Sequence, residues 1–244
     1  MKKLLLVAAL SSCGFSYAEE QKDFTLDGEL GLIFTTGNTE TTSVKGRLSA
    51  THELTDWSNE YLIEGLYKEE EVENDLGEDE RQTSAQRYFL SAQGNYKLEN
   101  PQNRLFAFAS YEDDRFTSFD YQATLAGGWN SVWFESPTQK FTYSVGPGYS
   151  FAEKTNGEDA SGFIVRGAVN YSWKISDTAN FKQIISTEVG SDNTKSKSET
   201  SVSAKLAEAL SMKFSVILKH NTEVDDGVDN LDTETAATLV YTFF

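Results

Sequence analysis

FTLDGELGLIFT, residues Phe24 to Thr35, decides the fold. Phe24, Leu26, Gly28, Leu30, Leu32 and Phe34 fall on one side of an extended chain. Thr25, Asp27, Glu29, Gly31 and Thr35 fall on the other, with Ile33 alone out of phase. Successive side chains of a strand point to opposite faces, so this segment has one greasy face and one polar face. The same alternation returns in about a dozen segments and ends at Phe244. It fits a transmembrane β-barrel, whose apolar face meets lipid while the polar face lines a lumen. A soluble sandwich or lipocalin alternates equally with its apolar face turned inward, so other features must choose.

Upstream, Lys2 and Lys3 precede an apolar run from Leu4 to Leu10, and Ser16-Tyr17-Ala18 supplies a small-residue site before Glu19. This is the pattern of a secretory signal peptide cleaved after Ala18, and its apolar run is too short to cross a bilayer as a helix. Leu10-Ser11-Ser12-Cys13 also resembles a bacterial lipobox, whose use would leave Cys13 acylated. Signal length favours Ala18, as does an integral barrel's independence of a lipid anchor. Cys13 is the sole cysteine, so residues 19–244 then hold no thiol, which excludes disulfides, zinc-thiolate sites and cysteine nucleophiles. An exported chain without disulfides needs another source of rigidity, and a closed strand ladder supplies it. No linker or composition shift divides residues 19–244, which read as one domain.

Mean hydropathy is −0.46 and the formal charge is −17, or −19 once Lys2 and Lys3 are removed. Low hydropathy argues against transmembrane helices only, because barrel strands interleave polar lumen residues. The acidity argues against nucleic acid as a partner, since phosphate binding needs a basic face.

The alternation predicts strands near 23–35, 41–54, 57–68, 83–98, 104–112, 120–133, 141–151, 161–174, 179–190, 197–206, 211–220 and 233–244, the ninth alternating poorly. Twelve is even, which returns both termini to one side, here the periplasm. Connections after even strands are short (Thr55–Asp56, Glu99–Asn103, Phe134–Lys140, Ile175–Thr178, Ala207–Leu210). Those after odd strands are mostly longer: Glu69–Gln82, Asp113–Phe119, Ala152–Ala160, Ser191–Ser196 and Asn221–Asp232, with Thr36–Glu40 tight. Short periplasmic turns and longer outer loops are the barrel asymmetry.

Aromatics gather near strand ends on the aliphatic face: Trp57, Tyr67, Tyr96, Trp133, Phe141, Tyr149, Tyr171, Trp173 and Tyr241. Tyr and Trp favour the membrane interface, where the ring is buried and the polar atom is wet. Ala237, Leu239, Tyr241 and Phe243 alternate before a terminal Phe244, which looks like the signal read by outer-membrane assembly machinery. Thr42-Ser43-Val44 with Arg47-Leu48 is echoed by Thr200-Ser201-Val202 with Lys205-Leu206, each copy after an Asn-Thr turn.

Three stretches carry a family likeness: Thr36-Gly37-Asn38-Thr39; Tyr111-Glu112-Asp113-Asp114-Arg115-Phe116 with Asp120-Tyr121; and Gly190-Ser191-Asp192-Asn193-Thr194 with Ser198-Glu199-Thr200. They resemble the bacterial family described as salt-induced outer membrane proteins, domain-of-unknown-function family 481, over most of residues 19–244. The resemblance implies an outer-membrane barrel of a Gram-negative bacterium and a link to salt or osmotic adaptation. It brings no substrate or catalytic residue.

The inward phase collects Asp27, Glu29, Lys45, Arg47, Glu60, Glu64, Lys68, Arg87, Lys97, Arg166, Glu188, Lys205, Lys213 and Lys219. Such mixed walls either orient permeating ions and small solutes or close the lumen with salt bridges. A small channel is the leading expectation, and a closed structural barrel acting through acidic loops is the alternative. The Glu69–Gln82 run carries eight carboxylates, and the last connection carries Glu223, Asp225, Asp226, Asp229 and Asp232. Clustered carboxylates attract hard cations, with Asp225, Asp226 and Asp229 as candidate ligands. Loosely held divalent ions would bridge these loops to lipopolysaccharide phosphates, and outer-membrane lipid surrounds the wall. No bound cofactor is implied.

Catalysis has little to draw on. His52 and His220 fall near opposite membrane faces, no Gly-x-Ser-x-Gly elbow is present, and Ser203 and Ser215 point inward while His220 points outward. An outer-membrane hydrolase is therefore the least favoured class, and a non-enzyme is expected. Gly127-Gly128 and Gly146-Pro147-Gly148 lie inside strand patterns and predict close contact or a kink in the wall.

Overall fold

The computed structural model describes residues 24–35, 41–73, 79–115, 117–224 and 229–243. Twelve antiparallel strands close into one barrel in sequence order: β1 (Phe24–Thr35), β2 (Thr41–Glu53), β3 (Trp57–Glu73), β4 (Asp79–Lys97), β5 (Asn103–Asp114), β6 (Phe119–Glu135), β7 (Gln139–Lys154), β8 (Gly162–Lys174), β9 (Ala179–Gly190), β10 (Thr194–Lys205), β11 (Leu210–Asn221) and β12 (Leu231–Thr242). Strand number, order and facing follow the alternation. The signal segment, Cys13, Thr36–Glu40, Asp225, Asp226 and Phe244 lie outside the described residues.

Polarity is inside out. Leu30, Ile63, Leu125 and Phe214 are more than half exposed on the outer wall, while Glu64, Arg87 and Arg166 are 2, 4 and 7% exposed within. A soluble domain buries its aliphatics and solvates its charges, so this belt requires an apolar solvent. Closure pairs the backbone around the ring, as a membrane wall demands. Aromatic pairs ring the wall at both ends. Trp57–Tyr96, Trp133–Tyr143 and Tyr241–Phe243 lie at the short-turn end, with Tyr111–Tyr121 and Tyr149–Phe163 at the other.

The long acidic loop expected at Glu69–Gln82 is corrected. Most of it is strand, with Glu69 to Glu73 paired to Thr83 through Asp79 beyond a register shift at Lys68/Glu69. Glu71 stands across from Arg81, and the ladder overrides the run's polarity because cross-strand backbone bonds do not depend on apolar side chains. The expected loop asymmetry is thus partly strand extension. The loop expected at Ser191–Ser196 is shortened likewise, since β10 begins at Thr194 and brings Lys195 into the ladder.

β9 reads irregularly because Gln183 and Thr187 face outward among Phe181, Ile185 and Val189. Thr200 and Gln183 share a 2.6 Å hydrogen bond, Gln183 donates to Ser198 at 3.0 Å, and Thr187 and Ser196 are 2.9 Å apart. Paired in this way, polar groups are tolerated on a lipid face.

Two irregularities shape the wall. A Cβ built on Gly146 would lie 2.2 Å from the Gly127 carbonyl oxygen, and one on Gly128 would lie 2.4 Å from that of Val145, so β6 and β7 approach closely around Pro147. The other is the seam between first and last strands. β1 pairs with β12 over four residue pairs, Asp27–Thr242 to Leu30–Leu239, whereas β1 and β2 pair over twelve.

Candidate functional site: the barrel lumen

At the short-turn end the lumen forms a chamber of about 520 Å³ bordered by Asp27, Ser49, Lys182, Ser201 and Thr242. It continues into a second space of about 260 Å³ that reaches Glu60, Phe108, Asn130 and Arg166. Toward the opposite end the gaps beside Gln122 and Lys195 are about 20 and 30 Å³, room for a water or two.

The chamber ends at a lattice of ion pairs built from inward positions of seven strands. Arg87 on β4 donates to Glu64 on β3 at 2.5 Å and to Glu234 on β12 at 3.1 Å. Lys45 on β2 bonds Glu234 and stands 3.9 Å from Glu64. Arg47, also on β2, donates to both oxygens of Glu199 on β10, at 2.8 and 3.0 Å, and lies 3.9 Å from Glu29 and from Glu64. Lys213 on β11 joins Glu29 at 3.0 Å and Glu199 at 3.1 Å. Arg87–Glu234 and Arg47–Glu199 connect strands that are not neighbours, so these side chains reach across the interior.

Within these contacts four bases meet four carboxylates, and Lys197 on β10 is close enough for its charge to act on Glu64 and Glu199. Burying such charges costs solvation that attraction and hydrogen bonds offset, and losing any one member leaves a partner uncompensated. Two smaller groups complete the interior. Glu112 receives Lys195 at 2.5 Å and Lys219 at 2.9 Å, and Lys219 is 3.7 Å from Asp114. Arg166 lies over the Phe108 ring, 3.7 Å from its centroid, and 3.6 Å from Glu188, which accepts a 2.8 Å bond from Thr124.

The inward charges named from sequence are placed as follows. Glu29, Lys45, Arg47, Glu64, Arg87 and Lys213 join the lattice, and Arg166 faces Glu188. Lys219 belongs to the Glu112 group. Asp27 accepts a 2.6 Å bond from Thr242, and Glu60 lines the chamber. Lys68 pairs with Glu70 and Lys97 with Glu53 at the rims, and Lys205 is exposed at the end of β10. Sequence reasoning missed Glu112, Lys182, Lys195, Lys197, Glu199 and Glu234. Glu199 and Glu234 share the inward parity of Ser201 and Ala236, a signal that was available.

Leu239, Tyr241 and Phe243 are exposed on the outer wall. Asp229 is exposed, and among the described residues no three His, Asp or Glu side chains converge as a metal site. Asp177, in the turn after β8, is held below the usual carboxylate range by its hydrogen bond from Lys174. His52 meets Phe24 edge-on beside the β2–β3 turn, while His220 ends β11 at the opposite rim.

A sequence profile described as "Protein of unknown function, DUF481" matches residues 28–243. The chain is 23% identical over 225 residues to the uncharacterized Escherichia coli (strain K12) protein YdiY, covering 92% of this chain and 85% of that one. Among solved structures, a NanC porin aligns with a TM-score of 0.52 at 11% identity, covering 90% of this chain and 100% of its own. An outer membrane channel from Pseudomonas putida F1 aligns at 0.47 and 8% identity, covering 90% and 93%. The NanC likeness is one of fold.

Proposed function

This chain belongs to the DUF481 family, and from that premise we propose that it is a narrow outer-membrane channel for ions and small polar solutes in a Gram-negative envelope. The observation that carries the reading is the 520 Å³ polar chamber, which opens at the short-turn end and runs to a constriction of alternating bases and carboxylates. In a low-dielectric wall such opposed charges act strongly on whatever passes. The fold shared with a porin supports the barrel assignment. In this reading the short turns and both termini face the periplasm, residues 1–18 are removed on export, and the Leu239, Tyr241, Phe243 and Phe244 alternation is read by the assembly machinery. Lipid and lipopolysaccharide are its surroundings, with divalent ions bridging the acidic outer connections. A role in salt or osmotic adaptation is the physiological part of the proposal.

A second reading, a closed structural barrel, is favoured by the ion pairs that cross the lumen. Single-channel recording on purified protein in planar bilayers separates the two. Discrete steps whose size or ion selectivity changes in Arg47→Ala support the channel. Silence across salts and voltages refutes it in favour of the closed barrel.

A further inference from the structure

Most lumen charges are committed to one another, but among the described residues three facing the chamber make no ion pair, and a fourth, Arg166, keeps donor capacity beyond its contact with Glu188. Lys182 on β9 and Glu60 on β3 make no ion pair or hydrogen bond among the described residues, and both face the 260 Å³ space. Among the described residues Asp27 on β1 accepts only the Thr242 hydroxyl. Arg166 on β8 is 93% buried, its Nε stands 3.6 Å from Glu188, and among the described residues its Nε and Nη1 make no hydrogen bond.

These four are sorted by side, with the two bases on adjacent strands β8 and β9 and the two carboxylates on β1 and β3 across the lumen. Glu60 is close enough for its charge to act on both Arg166 and Lys182. Phe108 fixes the plane of the Arg166 guanidinium. Between the charged walls stand Asn130, Ser144 and Asn170, which donate and accept hydrogen bonds without net charge. A free anion is drawn to one wall and repelled by the other, and a free cation meets the converse. A molecule carrying both charges satisfies both walls.

We propose that the chamber binds a small zwitterion of amino-acid size, its ammonium toward Asp27 and Glu60 and its carboxylate toward Lys182 and Arg166. The inference deepens the channel reading and rests on it for the solute's further passage, but binding is measurable without conduction.

The test is saturation-transfer NMR on the detergent-purified full barrel with three probes of similar size: L-serine, lactate and ethanolamine. Serine is expected to saturate at about millimolar concentration and to bind at least about fivefold more tightly than either singly charged probe. Lys182→Gln should weaken serine and lactate and leave ethanolamine unchanged, and Glu60→Gln should weaken serine and ethanolamine and leave lactate unchanged. No saturable serine binding, equal binding of a singly charged probe, or variants that leave serine binding unchanged would each overturn the inference. Absence of conductance steps with serine binding intact would refute the channel and keep the site.

Discussion

Replacing Glu64 by Gln removes one negative charge from a side chain with no exposed surface that sits 2.5 Å from Arg87 and 3.9 Å from both Lys45 and Arg47. The amide keeps the shape and can still accept one hydrogen bond, so the change isolates charge. Lys45, Arg47, Arg87 and Lys213 are then left in contact with three carboxylates, Glu29, Glu199 and Glu234, and nearby Lys197 also loses an opposing charge. A single pair at this separation is worth about 4 kcal/mol at an effective dielectric constant near 20. Breaking a buried pair typically costs about 3–5 kcal/mol. With a guanidinium slope of about 4 kcal/mol per molar, the unfolding midpoint should fall by about 1 M. The assay is equilibrium unfolding from lipid vesicles, followed by the fluorescence of the chain's four tryptophans. Glu64→Gln with Arg87→Met removes one charge of each sign and should recover about 2 kcal/mol. A single variant with an unmoved midpoint, or a double variant no better than the single, would refute the view that charge balance holds the lumen together.

Gly146→Ala should cost about 1–3 kcal/mol or block insertion, because its Cβ would meet β6 backbone, which has no rotamer to yield. Gly46→Ala, with no atom within 4 Å of the new Cβ, should stay within about 0.5 kcal/mol by the same unfolding assay. Ile63→Arg, on the exposed outer face, should cost about 2–4 kcal/mol at membrane mid-depth, and Leu62→Arg, beside the chamber, should cost less. Hydrogen exchange by mass spectrometry should find the β12 segment 231–238 exchanging faster than β10, whose residues pair on both sides.

The sequence revealed the wall better than its contents. A period of two is a local property, so strand number and the outward direction of Leu30, Ile63 and Leu239 could be read one segment at a time. The acidic run after Lys68 misleads because charge is a loop signal, yet a strand end can pair through its backbone with almost every side chain polar. Pairing inside the barrel is not local. Arg47 and Glu199 are 152 residues apart, and Arg87 and Glu234 are 147 apart. Their meeting depends on how the sheet tilts and closes. Parity could have placed the missed Glu199 and Glu234 inward, but it does not say which base each finds. Whether the lumen holds a chamber or a plug was equally illegible, because both use the same inward residues at different heights.

The four-pair seam makes this barrel a rolled sheet laced along one edge. Elsewhere the hoop is continuous backbone bonding. Between β1 and β12 the ladder covers only the short-turn half, and above it Glu234 ties β12 to Lys45 on β2 and Arg87 on β4. Hoop tension at that height therefore passes through side chains instead of amides, and electrostatics sets the circumference along this one line. Folding can register every hairpin locally and leave closure as a late, separately adjustable event. Glu234, with Glu199 in the same row bonded to Arg47, then acts as the lace whose loss would let the cylinder relax without unravelling any hairpin.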